Sequence, residues 1–507
     1  MLSFQEQIEE FEAIVSAVID EEVIELSKTF DLLYTKKDSA SILPTIESAI
    51  TMMSNHYNTP TKMQISYNIA NGYHDLRIIE KSDNESYFEK EIYYLRYTLD
   101  MYESSFSDND DNDDNDEIVP EVAAARYIAM RSYTNLGNAF RGLCRYIAAI
   151  DCFQNALSIS NNFAMASLNL SLLLFQYAQV QIKPYEQSYY HHACIRYYEQ
   201  TKKYKMNLES QDYLSVLQKC ITAFDPSYVK EFLYKPLNLP RFEIQDQKEI
   251  DYRNYLLTFR LFLDPCLDIL SAPCFAVDSI NLPFSEPLSN RDKEFIGLFN
   301  QIKQEYNYAR FLWYSLSTDD CCKHFADLEL DMIDTGDMAD HSLQGSFLRT
   351  AFKTAYSLFD RIGYFINEYF QVGLTDTKIS FKNVWKNKVY DGSGQLLFVV
   401  PRPIVSSHAD NPLIKAMYWL QKDFFESKKI NVTTPYAERI FQMRNDMEHN
   451  CLLTGMQMFD VSFTKYTSEQ KIEDNTYKLL KLARELIIYL CLAVNYDQQK
   501  GKGHGTT

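Results

Sequence analysis

The sequence predicts an all-α protein in which an array of helical hairpins is followed by a helical bundle. Three observations lead to this prediction. The 507 residues include only 14 Gly and 15 Pro but 37 Tyr and 32 Phe, a balance typical of packed helices rather than of turn-rich sheets. Apolar residues recur at helical spacing in both halves of the chain. The length also exceeds that of a single small domain, so we expect two or more domains.

Charge is distributed unevenly along the chain. The formal net charge is −19, from 50 basic and 69 acidic residues. Residues 291–507 contain 26 basic and 27 acidic residues, which leaves 24 and 42 for residues 1–290. The N-terminal part therefore repels nucleic acid, whereas the nearly neutral C-terminal part permits its binding.

Hydrophobic segments, the N-terminal residues and the spacing of the cysteines indicate the cellular compartment. No stretch approaches the roughly 20 apolar residues of a membrane helix, and the first residues carry Glu where a signal peptide carries basic side chains. The ten cysteines include no Cys-x-x-Cys pair, which favours reduced thiols over a disulfide framework or a zinc site. We expect a cytoplasmic protein that binds no membrane, no metal and no other cofactor.

Small and large residues alternate in a repeat-like order in the N-terminal region. The positions are Tyr133, Leu136, Gly137, Phe140, Ala149, Phe153 and Ala156. Their offsets resemble those of a tetratricopeptide (TPR) unit, in which small residues let two antiparallel helices approach and large ones fill the gap. A weaker copy begins at Tyr67. We predict a TPR-like region over residues 1–225, with a generic helical domain as the alternative.

An acidic run, SDNDDNDDNDE, interrupts this region at residues 107–117. It lacks the Gly at the sixth position and the Glu at the twelfth position that a calcium-binding EF-hand loop uses. We therefore interpret residues 106–118 as a solvated, disordered insertion.

The C-terminal part predicts a four- or five-helix bundle over residues 289–498, joined by a connector at 226–288 in which proline is frequent. Heptad-like spacing is clearest in the second helix. The predicted helices are 291–317, 346–370, 411–426, 434–453 and 469–495. An insertion at 372–410 has a hairpin turn at Asp391-Gly392, and residues 499–507 are expected to form a disordered tail.

The helix predicted at 434–453 carries the candidate catalytic residues. Arg444 and His449 form an Arg-x4-His element, and Asn445 lies one turn before His449 on the same helical face. The alternative interpretation is an ordinary surface ion pair between Arg444 and Glu448, with a solvated histidine.

An Arg-x4-His element on the penultimate long helix of an all-α bundle resembles the signature of the HEPN superfamily (higher eukaryotes and prokaryotes nucleotide-binding). Further blocks at 261–265, 278–283 and 351–367 are similar to a bacterial branch in which TPR-like helices precede a HEPN domain. The resemblance covers roughly residues 60–495. Cys451 departs from the pattern, because some HEPN toxins have there a Tyr that an antitoxin modifies; that style of control is therefore in doubt.

This resemblance implies a metal-independent endoribonuclease that acts as a homodimer, with both Arg-x4-His elements lining one cleft. Arg444 would hold the phosphate, His449 would act as acid or base, and Asn445 would be an orienting or substrate-contacting polar group. Glu448 and Asp446 would be auxiliaries. The implied role is bacterial defence or stress, toxin-like, with the TPR-like region as sensor, regulator or binding site for a protein partner. The alternative is a non-catalytic nucleotide- or RNA-binding scaffold that uses the TPR-like region for protein–protein interaction.

Lysines and aromatic residues are interleaved in the insertion. The RNA-binding candidates are Lys378, Lys382, Trp385, Lys386 and Lys388. Ammonium groups that contact phosphates and rings that stack on bases are the means by which proteins bind single-stranded RNA. In the alternative, the rings pack on the bundle and the lysines are merely solvated.

Overall fold

The computed structural model describes most of the chain between residues 13 and 503. The exceptions are 83, 107–118, 183, 204–213, 216, 220, 223–242, 271, 319–324, 334–335, 337–338, 340, 393–395, 428–429 and 456–463. The acidic insertion and the last four residues of the predicted tail therefore lie outside the described residues. The described part is predominantly helical and contains two small sheets, which confirms the all-α prediction.

The chain forms two compact units. The first comprises Met1–Leu237 together with Ile430–Pro435, and the second comprises Asn238–Lys429 together with Tyr436–Thr507. Most of the predicted connector thus belongs to the second unit, whereas the sequence placed a domain boundary near Pro287. None of the helices in the described part has the length and hydropathy that crossing a lipid bilayer requires.

The first unit is a succession of helices in which each packs on the next. The helices are α1 (Glu21–Lys36), α2 (Ser39–Met52), α3 (Thr59–Ile79), α4 (Glu85–Phe106), α5 (Pro120–Gly142), α6 (Tyr146–Ile159), α7 (Ala164–Ala178) and α8 (Pro184–Thr201). A Cβ at Gly137 of α5 would lie 2.7 Å from the Phe153 ring of α6, so this close approach depends on glycine. The pairing agrees with the small and large positions of the repeat pattern, and the TPR assignment itself stays a prediction.

The second unit is built on α10, α12 and α16, which pack on one another. Its helices are α9 (Gln247–Thr258), α10 (Asn290–Ser315), α11 (Phe325–Leu328), α12 (Leu343–Tyr369), α13 (Pro403–Ser407), α14 (Pro412–Leu420), α15 (Ala437–His449) and α16 (Glu469–Gly503). Its strands are β1 (Lys386–Tyr390), β2 (Leu396–Pro401), β3 (Cys451–Thr454) and β4 (Thr464–Thr467). Strands β1 and β2 form the antiparallel hairpin that the sequence predicts in the insertion.

Several predicted ends are wrong. The helix predicted at 411–426 ends as α14 at Leu420 and is followed by a short 3-10 helix over Gln421–Asp423. The helix predicted to reach residue 453 ends at His449, because the chain turns extended at Asn450 and pairs β3 in parallel with β4. At the C-terminus, residues 499–503 continue α16 and are not a disordered tail.

Two buried arginines hold the connector on the second unit. Arg310 is 2% exposed and donates to both carboxylate oxygens of Asp278, at 3.1 and 2.7 Å. Arg484 is fully buried and donates to the carboxylate of Asp268 at 2.8 Å. Because a buried charge without its partner is strongly destabilising, residues 261–278 are an integral part of this unit.

Candidate active site

Helix α15 presents one face to the bundle and its C-terminal end to solvent. Ala437, Ile440 and Met443 are buried and recur every three residues, so they lie along one side of the helix. This side packs on α12 and contributes to a small apolar pocket with Leu479 and Leu482 of α16. Packing at the N-terminal half thus holds one side of the helix against the bundle, while Glu448 and His449 in its last turn are exposed.

Arg444, Asn445 and His449 meet at this accessible end. The Nη1 of Arg444 donates to Oδ1 of Asn445 at 3.1 Å and lies 3.4 Å from Nε2 of His449. Because a guanidinium can only donate, a hydrogen bond between these atoms requires Nε2 as the acceptor and the imidazole proton on Nδ1. Arg444 and Asn445 are half-buried and His449 is exposed. Of the three residues expected to act together, Arg444 therefore contacts both Asn445 and His449.

Glu448 does not pair with Arg444, as the surface ion-pair interpretation required. Its Oε1 lies 3.7 Å from Nζ of Lys353 on α12, and both side chains are more than a third exposed. Such an exposed pair contributes little to stability. Glu448 therefore lies next to the Arg444–His449 contact but takes no part in it.

Asp446 points away from this cluster. It is 8% exposed and accepts hydrogen bonds from Nζ of Lys465 on β4 at 2.7 Å and from Nδ2 of Asn450 at 2.8 Å. These bonds fasten the end of α15 to the small parallel sheet. The structure therefore gives Asp446 a positioning role and no contact with the cluster.

Tyr356 on α12 is a site residue that sequence reasoning missed. The guanidinium carbon of Arg444 lies 5.8 Å from the centre of its ring, within reach of a cation–π interaction. Burial, with the nearby carboxylate of Asp360, raises the pKa of Tyr356 to about 12. Its phenol is accordingly protonated at neutral pH. The available signal was its place in the 351–367 block, which carries the family resemblance.

The aromatic part of the predicted RNA patch is buried. Trp385 is fully buried and Phe381 is 2% exposed. The ring centre of Phe381 lies 5.9 Å from that of Phe359 on α12. The expectation that Trp385 stacks on bases is therefore wrong, because its ring fills the core between the insertion and the bundle. The alternative, in which these rings pack on the bundle, describes them correctly.

The patch lysines differ in accessibility. Lys378 is exposed. Lys386 and Lys388 both form ion pairs with Glu426, and Lys386 is only 8% exposed. Lys382 donates to the carbonyl of Phe425 at 3.2 Å, and burial lowers the pKa of both Lys382 and Lys386. In this arrangement only Lys378 presents a solvated charge of the kind that the RNA-binding prediction required.

Metal-ligating side chains do not cluster in the described part of the chain. Within it, no group of three or more His, Cys, Asp or Glu residues is placed to hold a metal ion.

Residues 289–497 match the family model described as LA2681-like HEPN. The match supports a HEPN domain over the bundle and includes Arg444, Asn445 and His449. No curated protein and no solved structure matches the chain.

Proposed function

Taking a HEPN domain at residues 289–497 as the premise, we propose that the protein is a metal-independent endoribonuclease that acts as a homodimer. The observation that carries the proposal is the contact between the Arg444 guanidinium and the exposed His449 imidazole at the end of α15. We further propose a toxin-like role in bacterial defence or stress, with the first unit as sensor or regulator. A HEPN domain is also compatible with nucleotide binding, so the experiment must separate cutting from binding.

The chemistry requires a base, an acid and a positive charge at phosphorus. An imidazole can take the proton of the RNA 2′-hydroxyl, and the 2′-oxygen then attacks the adjacent phosphorus. A second imidazole, His449 of the other copy, donates a proton to the departing 5′-oxygen. Arg444 stabilises the charge that accumulates on the phosphoryl oxygens. The products are a 2′,3′-cyclic phosphate and a 5′-hydroxyl end.

The resting contact between Arg444 and His449 has a consequence for this mechanism. As long as the guanidinium donates to Nε2, the lone pair that must accept the 2′-hydroxyl proton is occupied. A phosphate is a stronger acceptor for arginine than a neutral imidazole. Substrate binding would draw Arg444 onto the phosphate and release Nε2, which couples binding to activation of the base.

Cleavage of total RNA by the full-length protein in EDTA tests the proposal. Arg444→Ala and His449→Ala are each expected to lower the rate by about 10²–10⁴-fold, the usual contribution of a catalytic acid–base or a charge-stabilising group. Arg439→Ala is the matched control, because Arg439 is an exposed arginine five residues earlier on the same helix. The wild-type fragments should end in 2′,3′-cyclic phosphates.

Two outcomes would refute the endonuclease: no cleavage by the wild-type protein, or equal losses in Arg439→Ala and Arg444→Ala. Cleavage by a species that sediments as a monomer would refute the homodimer in which both Arg-x4-His elements line one cleft. RNA binding that survives in His449→Ala without any cutting by the wild type would support the scaffold alternative.

A further inference from the structure

The chain leaves the second unit just before α15, the motif helix that carries the Arg-x4-His element. It returns to the second unit at the start of α15. Ile430–Pro435 belongs to the first unit, and Tyr436, the residue that caps the N-terminus of α15, belongs to the second. Only Pro435 separates Thr434 from Tyr436. The position at which α15 begins is therefore tied, through the chain itself, to a segment that the first unit holds.

Arg96 of α4 contacts this segment within the first unit. Its Nη1 donates to the carbonyl of Thr433 at 3.1 Å and to the hydroxyl of Thr434 at 2.5 Å. Both threonines are 1% exposed, and the guanidinium lies 5.1 Å from the centre of the Phe140 ring. Hydrogen bonds from a charged donor in a buried setting are stronger than those between neutral groups.

A second hydrogen bond to α4 is made nearer the start of the segment Ile430–Pro435. The Nδ2 of Asn431 donates to Oε2 of Glu89 at 3.0 Å, and Glu89 lies about two turns before Arg96 on α4. The segment is thus fixed at two points on the same helix. By contrast, the first turn of α15 receives no side-chain cap from Tyr436, so its orientation depends more on the residues that precede it.

We propose that Arg96 is a positioning residue for the motif helix. By holding Thr433 and Thr434, it makes the orientation of α15 depend on the state of α4 and α5. Helix α15 is a rigid rod of three to four turns, so a displacement at its start moves Arg444 and His449 with it. A ligand or protein that rearranges the first unit would therefore regulate the site. The inference deepens the proposed function, on which its catalytic readout rests.

Hydrogen exchange followed by mass spectrometry on the full-length chain gives a readout that needs no catalysis. Arg96→Ala and Thr434→Val are expected to speed amide exchange over residues 437–449 by about tenfold or more, the factor that corresponds to the loss of a charge-assisted hydrogen bond. Arg96→Lys, which keeps the charge and one donor, should restore part of the protection. In cleavage assays the same variants should lower kcat with little change in KM.

Leu99→Ala is the matched control. Leu99 is a core residue of α4, 4% exposed and three positions after Arg96, so its truncation weakens the first unit without removing the donor to Thr433 and Thr434. If Leu99→Ala speeds exchange in α15 as much as Arg96→Ala at an equal loss of Tm, the effect is general loosening and the proposal fails.

Unchanged exchange over residues 437–449 in Arg96→Ala would also overturn it. Should the wild-type protein cut no RNA while Arg96→Ala still speeds exchange in α15, the nuclease function fails and the positioning role of Arg96 stands.

Discussion

At the scale of single residues, one carboxylate organises the lysines of the insertion. Glu426 is 7% exposed and forms ion pairs with Lys386 and Lys388. Burial acts to raise the pKa of Glu426, but the two ammonium groups outweigh it and hold the pKa below the ordinary value of 4.5. The pair therefore stabilises the fold only while Glu426 is ionised.

Glu426→Gln is expected to lower the free energy of unfolding by about 3 kcal/mol at neutral pH, because it leaves the buried Lys386 ammonium without its counter-ion. The pKa of Glu426 is lower in the folded state, so the wild-type advantage is complete above about pH 4.5 and declines as the pH falls through the folded-state pKa. Urea unfolding of both proteins from neutral pH to about pH 3.5 measures this difference. Glu294→Gln, at an exposed position of α10, should have no such effect; a difference between wild type and Glu426→Gln that is independent of pH would contradict the assignment.

The sequence predicted the residues of the candidate site that share one helix and missed those contributed by other segments. Arg444, Asn445 and His449 lie within six positions of one helix, and the resemblance of this Arg-x4-His element to the HEPN signature identified them. Tyr356 lies almost ninety positions earlier, and the burial of Trp385 depends on how the insertion packs on α12. Neither contact has a local signal, because both arise from tertiary packing.

At the scale of elements, the insertion packs closely on α12 at a glycine. A Cβ at Gly363 would lie 2.7 Å from the backbone nitrogen of Phe381 and 2.9 Å from its Cα. These are backbone atoms, which cannot move aside as a flexible side chain can. The same backbone nitrogen donates to Asp360 at 3.1 Å, so the contact is also held by a hydrogen bond.

Gly363→Ala is expected to destabilise the protein by about 1–3 kcal/mol, the usual cost of forcing an extra carbon into a packed interface. Gly297→Ala on α10 is the matched control. Among the residues that the structure describes, no atom beyond its chain neighbours and its own helix backbone lies within 4 Å of the added Cβ, and alanine should stabilise that helix by about 0.5–1 kcal/mol. In thermal unfolding, Gly363→Ala should lower the Tm and Gly297→Ala should raise it. Equal Tm shifts in the two variants would show that the close approach at Gly363 does not affect stability.

Element prediction succeeded where periodicity is long and failed where pairing is non-local. Helices α10, α12 and α16 are close to their predicted ranges because their apolar spacing extends over many turns. Strand β3 has four residues, and its partner β4 begins ten positions after it ends. The helical pattern of α15 continues into Cys451, so local sequence gave no reason to end the helix at His449.

At the scale of the whole molecule, the second unit is larger than the matched HEPN range. Its residues between Asn238 and residue 288 supply the carboxylates of Asp268 and Asp278 to arginines buried in α16 and α10. The sequence predicted a connector at 226–288 in which proline is frequent. It did not reveal that the connector completes two buried ion pairs, because the paired residues are 32 and 216 positions apart.

A fragment of residues 289–507 is expected to fold poorly, whereas residues 238–507 should unfold cooperatively. The shorter fragment leaves two buried arginines unpaired, at about 3–5 kcal/mol each, against a total stability of about 5–15 kcal/mol for a typical domain. Urea unfolding monitored by circular dichroism measures the unfolding midpoint of each fragment. Asp268→Asn with Asp278→Asn in the longer fragment should reproduce the loss, and equal midpoints for both fragments would contradict this view of the connector.

The sealed Arg484–Asp268 contact has an evolutionary consequence. Selection acts on the two positions jointly, since an ancestor that lost one charge and retained the other would carry an uncompensated ion in its interior. In homologous sequences, position 268 is expected to be acidic wherever position 484 is arginine. Where one of the two positions carries a neutral residue, the other should carry a neutral residue as well.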